Sequence, residues 1–338
     1  MNNDLELARK KFHSSFKLYE MKKTKIPGSW GVIDDICEDI FVLRMLKQRN
    51  VYEVIKTKIV LFASSNGIVE SNISAYSTET ELKVFEEIDK GNTPINIFSN
   101  YLHCPIDILD VGINSKSRWK NIENHKVNFG TKNIIVEDAM TREECLKCLS
   151  VGQNQAKKIC KEEYDLICLG EMGLGNTTIS TVILSVLLGI EPEKITGYGA
   201  GINKHIKENK REIIETLVDN YINTSTSKFD ILKLLERFGG FEIVAEVGFI
   251  LEATKNRTLI LIDGYITSIA ALLASSIDEN VTEYLIFSSL SAEPGHKYIL
   301  EYLNKKTLLD LKLRMGQGTA ATLALGMLNP AFQFYFGG

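Results

Sequence analysis

Short, unbroken apolar runs separated by helical stretches restrict the fold of this chain more than any other feature. The runs are IVLFA (59–63), IDILDV (106–111), NIIV (133–136), LICL (166–169), LILI (259–262) and YLIF (284–287). Strands that alternate with helices imply crossover connections and a mainly parallel sheet. Continuous rather than alternating apolar character implies strands covered on both faces. The expected class is therefore α/β, a mainly parallel sheet flanked by helices. Residues 4–48 and 297–327 read mostly helical, so the two ends of the chain are expected to pack together.

Composition narrows the partners. A chain of 338 residues is long enough for one large domain or two ordinary ones. The net charge of −4 gives no electrostatic reason to expect nucleic acid or an anionic membrane. The first residues, MNNDLE, lack a basic region followed by an apolar one, and no apolar run approaches the ~20 residues of a membrane helix. The expected location is cytoplasmic. Six cysteines are scattered, and Cys145 and Cys148 form a CxxC inside a helical stretch, without a second pair at zinc-ribbon spacing. Buried thiols are expected, and no metal site.

The informative loops follow the apolar runs. GEMGLGNTTIS (170–180) joins a strand-like run to an apolar helix, DGYITS (263–268) follows another, and SSLSAEPGH (288–296) a third. In a parallel sheet the carboxyl ends of the strands share one rim, where ligands bind. Glycines at 173 and 175 let backbone N–H groups approach a ligand, and Asn176, Thr177 or Thr178 can cap the following helix. A helix N-terminus with free N–H groups is an anion site, so the stretch reads as a phosphate cradle. No Gly-Lys-Ser/Thr follows, which argues against a Walker A loop. TGYGAG (196–201) invites a dinucleotide-binding oxidoreductase as an alternative, but neither it nor GLG has the full G-x-G-x-x-G spacing.

Taken together, GEMGLGNTT, PGSWG (27–31), ISAY (73–76), GGFEI (239–243), LIDGYI (261–266), SAEPGH (291–296) and LRMGQGTAATLAL (313–325) resemble the nicotinate-nucleotide–dimethylbenzimidazole phosphoribosyltransferases, in that family's order along nearly the whole chain. The resemblance implies a large α/β nucleotide-binding domain over 46–299 and a small helical domain from 1–45 and 300–338. It implies a homodimer, or a heterodimer with a paralogous subunit, with active sites near the interface. The implied reaction moves phosphoribose from nicotinate mononucleotide to an aromatic base, giving an α-riboside phosphate for cobamide biosynthesis. Its substrates are small molecules, and no cofactor is expected. Residues Gly173, Gly175, Asn176, Thr177 and Thr178 match the phosphate turn, and Lys210 matches a lysine that supplies a cation there. Ser291 and Gly316 match loops at the phosphate end. Gly199 and Gly201 match a glycine run near the nicotinate ring, with Asp263 close by.

The departures cluster on the side that receives the base. Gln317 stands where the family pattern has a general-base glutamate, and a primary amide does not take up a proton at physiological pH. Glu171, in the turn motif, is the second candidate catalytic residue. Ser65 and Asn66 lie in SSNG, where the pattern reads GDHG, and Lys83 belongs to an altered stretch that also includes Ser77, Thr80 and Glu81. With Ser74 and Tyr76, the residues Ser65, Asn66 and Lys83 form the expected acceptor pocket. Three readings follow: an active enzyme on a phenolic acceptor, an active enzyme on a benzimidazole with a displaced base, and a catalytically impaired subunit of a heterodimer.

Overall fold

Every residue of the strand Thr57–Ser64 (β1) is buried in the computed structural model, and its alternate side chains enter different apolar layers. Val60 and Phe62 join one cluster, while Ile59 and Leu61 face the other side. This is why the sequence shows unbroken apolar runs: both faces are covered. The structure describes residues 4–199, 201–224 and 230–337.

Helices Asp4–Met21 (α1) and Val32–Leu46 (α2) precede β1, and Thr78–Lys90 (α3) and Pro94–Tyr101 (α4) follow it. Strands Ile106–Gly112 (β2) and Glu123–Asn124 (β3) lead to Arg142–Cys160 (α5), Leu166–Met172 (β4), Asn176–Leu188 (α6), Pro192–Ile195 (α7) and Lys204–Thr224 (α8). Then come Ile231–Phe238 (α9), Phe241–Lys255 (α10), Leu259–Ile262 (β5), Tyr265–Ile277 (α11), Leu285–Ser289 (β6), Gly295–Tyr302 (α12), Thr307–Leu309 (β7) and Thr319–Phe336 (α13). The described strands form one seven-stranded sheet in the order β3-β2-β1-β4-β5-β6-β7, parallel throughout. Strand order reverses between β1 and β4, so the loops after these two neighbours open a crevice at the rim.

On one face α5 and α10 pack so closely that a Cβ on Gly248 would overlap the Leu149 carbonyl oxygen, and one on Gly152 the Ala245 carbonyl. Gly248→Val is expected to cost about 3 kcal/mol or more by overpacking. The readout is a lower urea midpoint at unchanged slope; an unchanged midpoint would refute the close packing. The other face of β1, β4 and β5 shares a cluster with Ile40, Leu43, Leu325 and Leu328. There Phe16, Phe41 and Phe336 of α1, α2 and α13 meet, with Phe41 and Phe336 stacked at 5.1 Å.

Three expectations need correction. Residues 133–136 are a turn: the Asn133 carbonyl accepts from Val136 N–H and Asn133 Oδ1 from Ile135 N–H. The asparagine side chain mimics a backbone turn, and Val136 is 78% exposed. The edge strands β3 and β7 are too short to register as apolar runs. Residues 297–327 are thus only partly helical, since 307–309 pair with β6. Among the described residues, no helix is long and apolar enough to cross a membrane.

Candidate functional site

The turn after β4 ends in Gly175, whose φ of 85° is open to glycine at low cost, and α6 begins there without a side-chain cap. The expected capping by Asn176, Thr177 or Thr178 does not occur. Asn176 instead turns its amide back to Glu171, Thr177 Oγ1 accepts from Lys210 Nζ at 2.9 Å, and Thr178 Oγ1 is buried without a partner among the described residues. The uncapped N-terminus of a 13-residue helix with a lysine beside it offers the N–H groups and the positive charge that an anion needs. Lys210 is no solvated helix lysine: it is 1% exposed, and burial pulls its ammonium down to about 8. Gly199 arches over this point, since a Cβ there would lie 2.8 Å from Thr177 Oγ1 and 3.5 Å from Lys210 Nζ. Gly201 is an exposed turn with open space around it.

Glu293 joins the loop after β6 to Gly199, whose N–H it accepts at 2.9 Å. Ser291 N–H donates to His296 Nδ1 at 2.9 Å, and His296 Nε2 lies 2.9 Å from Ser268 Oγ. Burial lowers His296 to about 4. The neutral ring therefore keeps its proton on Nε2 and holds this loop as a bridge.

Buried carboxylates line the rim. Glu171 accepts from Asn176, and burial, with Glu242 and Asp263 nearby, pushes its carboxyl well above the usual range. Glu242, at the start of α10, accepts from Ser64 Oγ and from Asn66 Nδ2, the latter at 2.9 Å, and burial raises it too. Glu246, one turn further along α10, accepts from Thr267 Oγ1, and its other oxygen has no partner among the described residues. Asp263 accepts the backbone N–H groups of Gly318 and Ala321 at 3.1 and 3.0 Å, so this carboxylate caps α13; burial raises it to about 6.

Asp263 thereby fixes the loop that carries residue 317. Gly316, Gln317 and Gly318 have φ of 69°, 59° and 71°, three left-handed residues in a row. Gln317 N–H donates to the Glu171 carbonyl at 3.2 Å, and Gly170 has no side chain because Gly318 lies against it. Gln317 Oε1 is buried with no hydrogen-bond partner among the described residues, as is Thr319 Oγ1. A ligand donor is the natural complement of such an orphaned acceptor.

On the acceptor side, Ser65 and Asn66 are buried at the β1 rim. Ser65 Oγ donates to Glu81 Oε2 at 2.6 Å, and burial raises Glu81 to about 7. Ser74 lies in the loop before α3, where its Oγ accepts from Tyr76 N–H at 3.1 Å, and Tyr76 is half exposed. Lys83 is exposed, off the buried face of α3 formed by Glu81, Phe85 and Ile88. The structure thus gathers Glu171, Gly173 to Thr178, Gly199, Lys210, Asp263, Ser291 and Gly316 to Gly318 through these loops, and leaves Gly201, Tyr76 and Lys83 on the surface. Sequence reading missed Glu242, Glu246, Glu293, His296 and the role of Glu81. A signal for the first two was present: two glutamates four apart interrupt FEIVAEVGFIL, a helix otherwise apolar on every side. The CxxC thiols are buried as expected, and burial pushes Cys145 up to about 12.

Comparison with known proteins agrees with this geometry. A family model described as phosphoribosyltransferase matches residues 6–337. The nicotinate-nucleotide–dimethylbenzimidazole phosphoribosyltransferase of Clostridium acetobutylicum is 36% identical over 313 residues, covering 92% of this chain and 87% of the relative. That of Clostridioides difficile is 33% identical, covering 91% and 87%. The crystal structure of the enzyme of that name from Thermus thermophilus superposes with a TM-score of 0.84 at 29% identity, covering 95% of this chain and 94% of the other.

Proposed function

This chain belongs to the nicotinate-nucleotide–dimethylbenzimidazole phosphoribosyltransferase family, and from that premise we propose that it transfers phosphoribose from nicotinate mononucleotide to a phenolic base, yielding an α-riboside phosphate for cobamide lower-ligand assembly. The observation that carries the choice of acceptor is Gln317 Oε1, a buried oxygen without a donor at the loop that crosses Glu171. A phenolic O–H supplies that donor, as a benzimidazole N–H also would; what favours the phenol is that residue 317 is an amide, which suits orientation rather than proton removal.

In this reading the nucleotide phosphate sits at the α6 N-terminus between Thr177 and Lys210. The phenol oxygen attacks the anomeric carbon from the face opposite nicotinate. The new C–O bond forms as the C–N bond breaks, and its electron pair returns to the ring nitrogen, cancelling the pyridinium charge. No further cofactor is called for, because the leaving group arrives already activated. Gln317 Oε1 orients the hydroxyl in the resting complex, and as the oxygen attacks, its one proton turns from Gln317 to the ionised form of Glu171. A carboxylate with raised proton affinity is the stronger base once ionised. Positioning supplies the rest of the acceleration.

Isothermal titration with nicotinate mononucleotide tests the reading, and its pH dependence is specific. The phosphate is a dianion above about pH 6. Lys210 has a lowered pKa, so its cation is present below about 8 and is lost as pH rises through that value. Affinity is expected to be highest between roughly pH 6 and 8 and to fall above it. No binding at millimolar ligand, or binding of NAD instead, would sink the reading.

A further inference from the structure

Leu174, in the middle of the phosphate turn, is gripped by both of its peptide groups from the acceptor side of the crevice. Its N–H donates to Glu81 Oε1 at 2.8 Å, and its carbonyl accepts from Asn66 Nδ2 at 3.3 Å. The second Glu81 oxygen accepts from Ser65 Oγ at 2.6 Å, and Ser65 Oγ accepts from Asn114 N–H at 3.1 Å. Glu81 is therefore a bridge with one oxygen on each half of the site. It stands on a rigid support, because Phe85 and Ile88 of the same helix are buried in the layers over β1 and β2. The turn has little freedom of its own on the other side. A Cβ at Gly173 would lie 2.6 Å from Glu242 Oε1, and one at Gly175 2.8 Å from Ile68 Cγ2.

We propose that Glu81 is a positioning residue, acting through Leu174 and Ser65 to hold the phosphate turn in register with the acceptor-side loop. The inference rests on the phosphoribosyl-transfer reading and extends it. Phosphate binding and register are separate duties of one turn. The phosphate grip consists of Lys210, Thr177 and the start of α6, whereas Glu81 bonds to Leu174 and Ser65. Losing Glu81 leaves that grip in place but frees the turn to shift against β1. The bound nucleotide then carries its anomeric carbon out of line with the incoming base, and a misplacement of about 1 Å can cost on the order of a hundredfold in rate.

Two variants of the full chain test this. Glu81→Ala removes both bonds. Glu81→Gln keeps an oxygen for Leu174 N–H and offers Ser65 Oγ an N–H in place of an acceptor. For Glu81→Ala the expected kcat is about ten- to a hundredfold lower, with the nicotinate mononucleotide Kd within about threefold of the parent. For Glu81→Gln the expected kcat is within about threefold of the parent. A merely structural role would lower the urea midpoint without this split between kcat and binding. Hydrogen exchange of residues 170–176 gives a readout that needs no substrate: faster in Glu81→Ala, close to the parent in Glu81→Gln. Unchanged exchange and unchanged kcat in Glu81→Ala would overturn the proposal. So would a Glu81→Gln protein with normal exchange and a kcat as low as that of Glu81→Ala, which would make Glu81 a proton acceptor instead. Failure of the parent to bind nicotinate mononucleotide would count against the transfer reading, while the exchange experiment still judges the bridge.

Discussion

Lys210→Met is expected to weaken nicotinate mononucleotide binding by about a hundredfold or more while leaving the fold intact or more stable. Lys210 Nζ donates to Thr177 Oγ1 at the head of α6, which places its charge where the proposed reading seats the phosphate. Truncating one partner of a buried, hydrogen-bonded charge pair costs ~2–5 kcal/mol, which is about 30-fold to several thousandfold in Kd. The stability arm follows from the direction of the lysine's shift. Its folded-state pKa lies below the value of a free lysine, so at neutral pH the native state carries a buried cation that the unfolded chain solvates more easily. A methionine of similar length removes that cost and keeps the volume filled. Titration calorimetry and a urea midpoint measured on the same preparation check both arms. Parent-like affinity would remove Lys210 from the anion site. The decline of affinity above about pH 8 is expected to vanish in this variant, which separates lysine ionisation from titration of other groups.

Gln317→Glu is expected to lower turnover with a phenolic acceptor by about ten- to a hundredfold. The amide offers the hydroxyl both an acceptor and a donor, whereas an ionised carboxylate offers acceptors only and opposes a developing phenolate. Hydrogen bonds to charged groups are worth ~1.5–3 kcal/mol, which sets the size of the loss. The new acid would also enter a crowded carboxylate field, since its backbone bonds to Glu171 and the adjoining loop is capped by Asp263. With dimethylbenzimidazole the opposite result is the decisive one. A positioned general base typically contributes ~10²–10⁴-fold, and a rise of about a hundredfold with that acceptor would reject the phenol reading.

The sheet was legible because parallel strands covered on both faces leave unbroken apolar runs, as β1, β4 and β5 do. The run at 133–136 misled for a local reason: its asparagine closes a turn on itself, and so short an apolar stretch has no period that separates strand from turn. β3 and β7 escaped notice because two or three residues at an edge carry little burial signal. Within the site, residue type and spacing marked Gly173 to Thr177 as the turn that opens α6, whereas Lys210 was named only through the family resemblance. What each side chain does was not. Asn176 looks like a cap of α6 in sequence and instead ties Glu171, while α13 is capped from a distance by Asp263, 55 residues before the loop it holds. Changes that read as separate losses at 65 and 81 belong together, because Ser65 donates to Glu81. Lys83 differs from these: it is exposed, off the buried face of α3.

The loop 316–318 carries one more implication, for how such an enzyme can diverge. On the loop's own side its shape is set by backbone groups: Gln317 N–H on the Glu171 carbonyl, Gly318 N–H on the Asp263 carboxylate, and a left-handed path that two flanking glycines accommodate. The side chain of residue 317 carries none of that framework, and its oxygen has no partner among the described residues. Any residue that tolerates the same left-handed angle inherits the loop at similar strain. Descendants of this scaffold can therefore exchange an acid for an amide at 317 in a single substitution and sample a new acceptor chemistry without first acquiring a new fold.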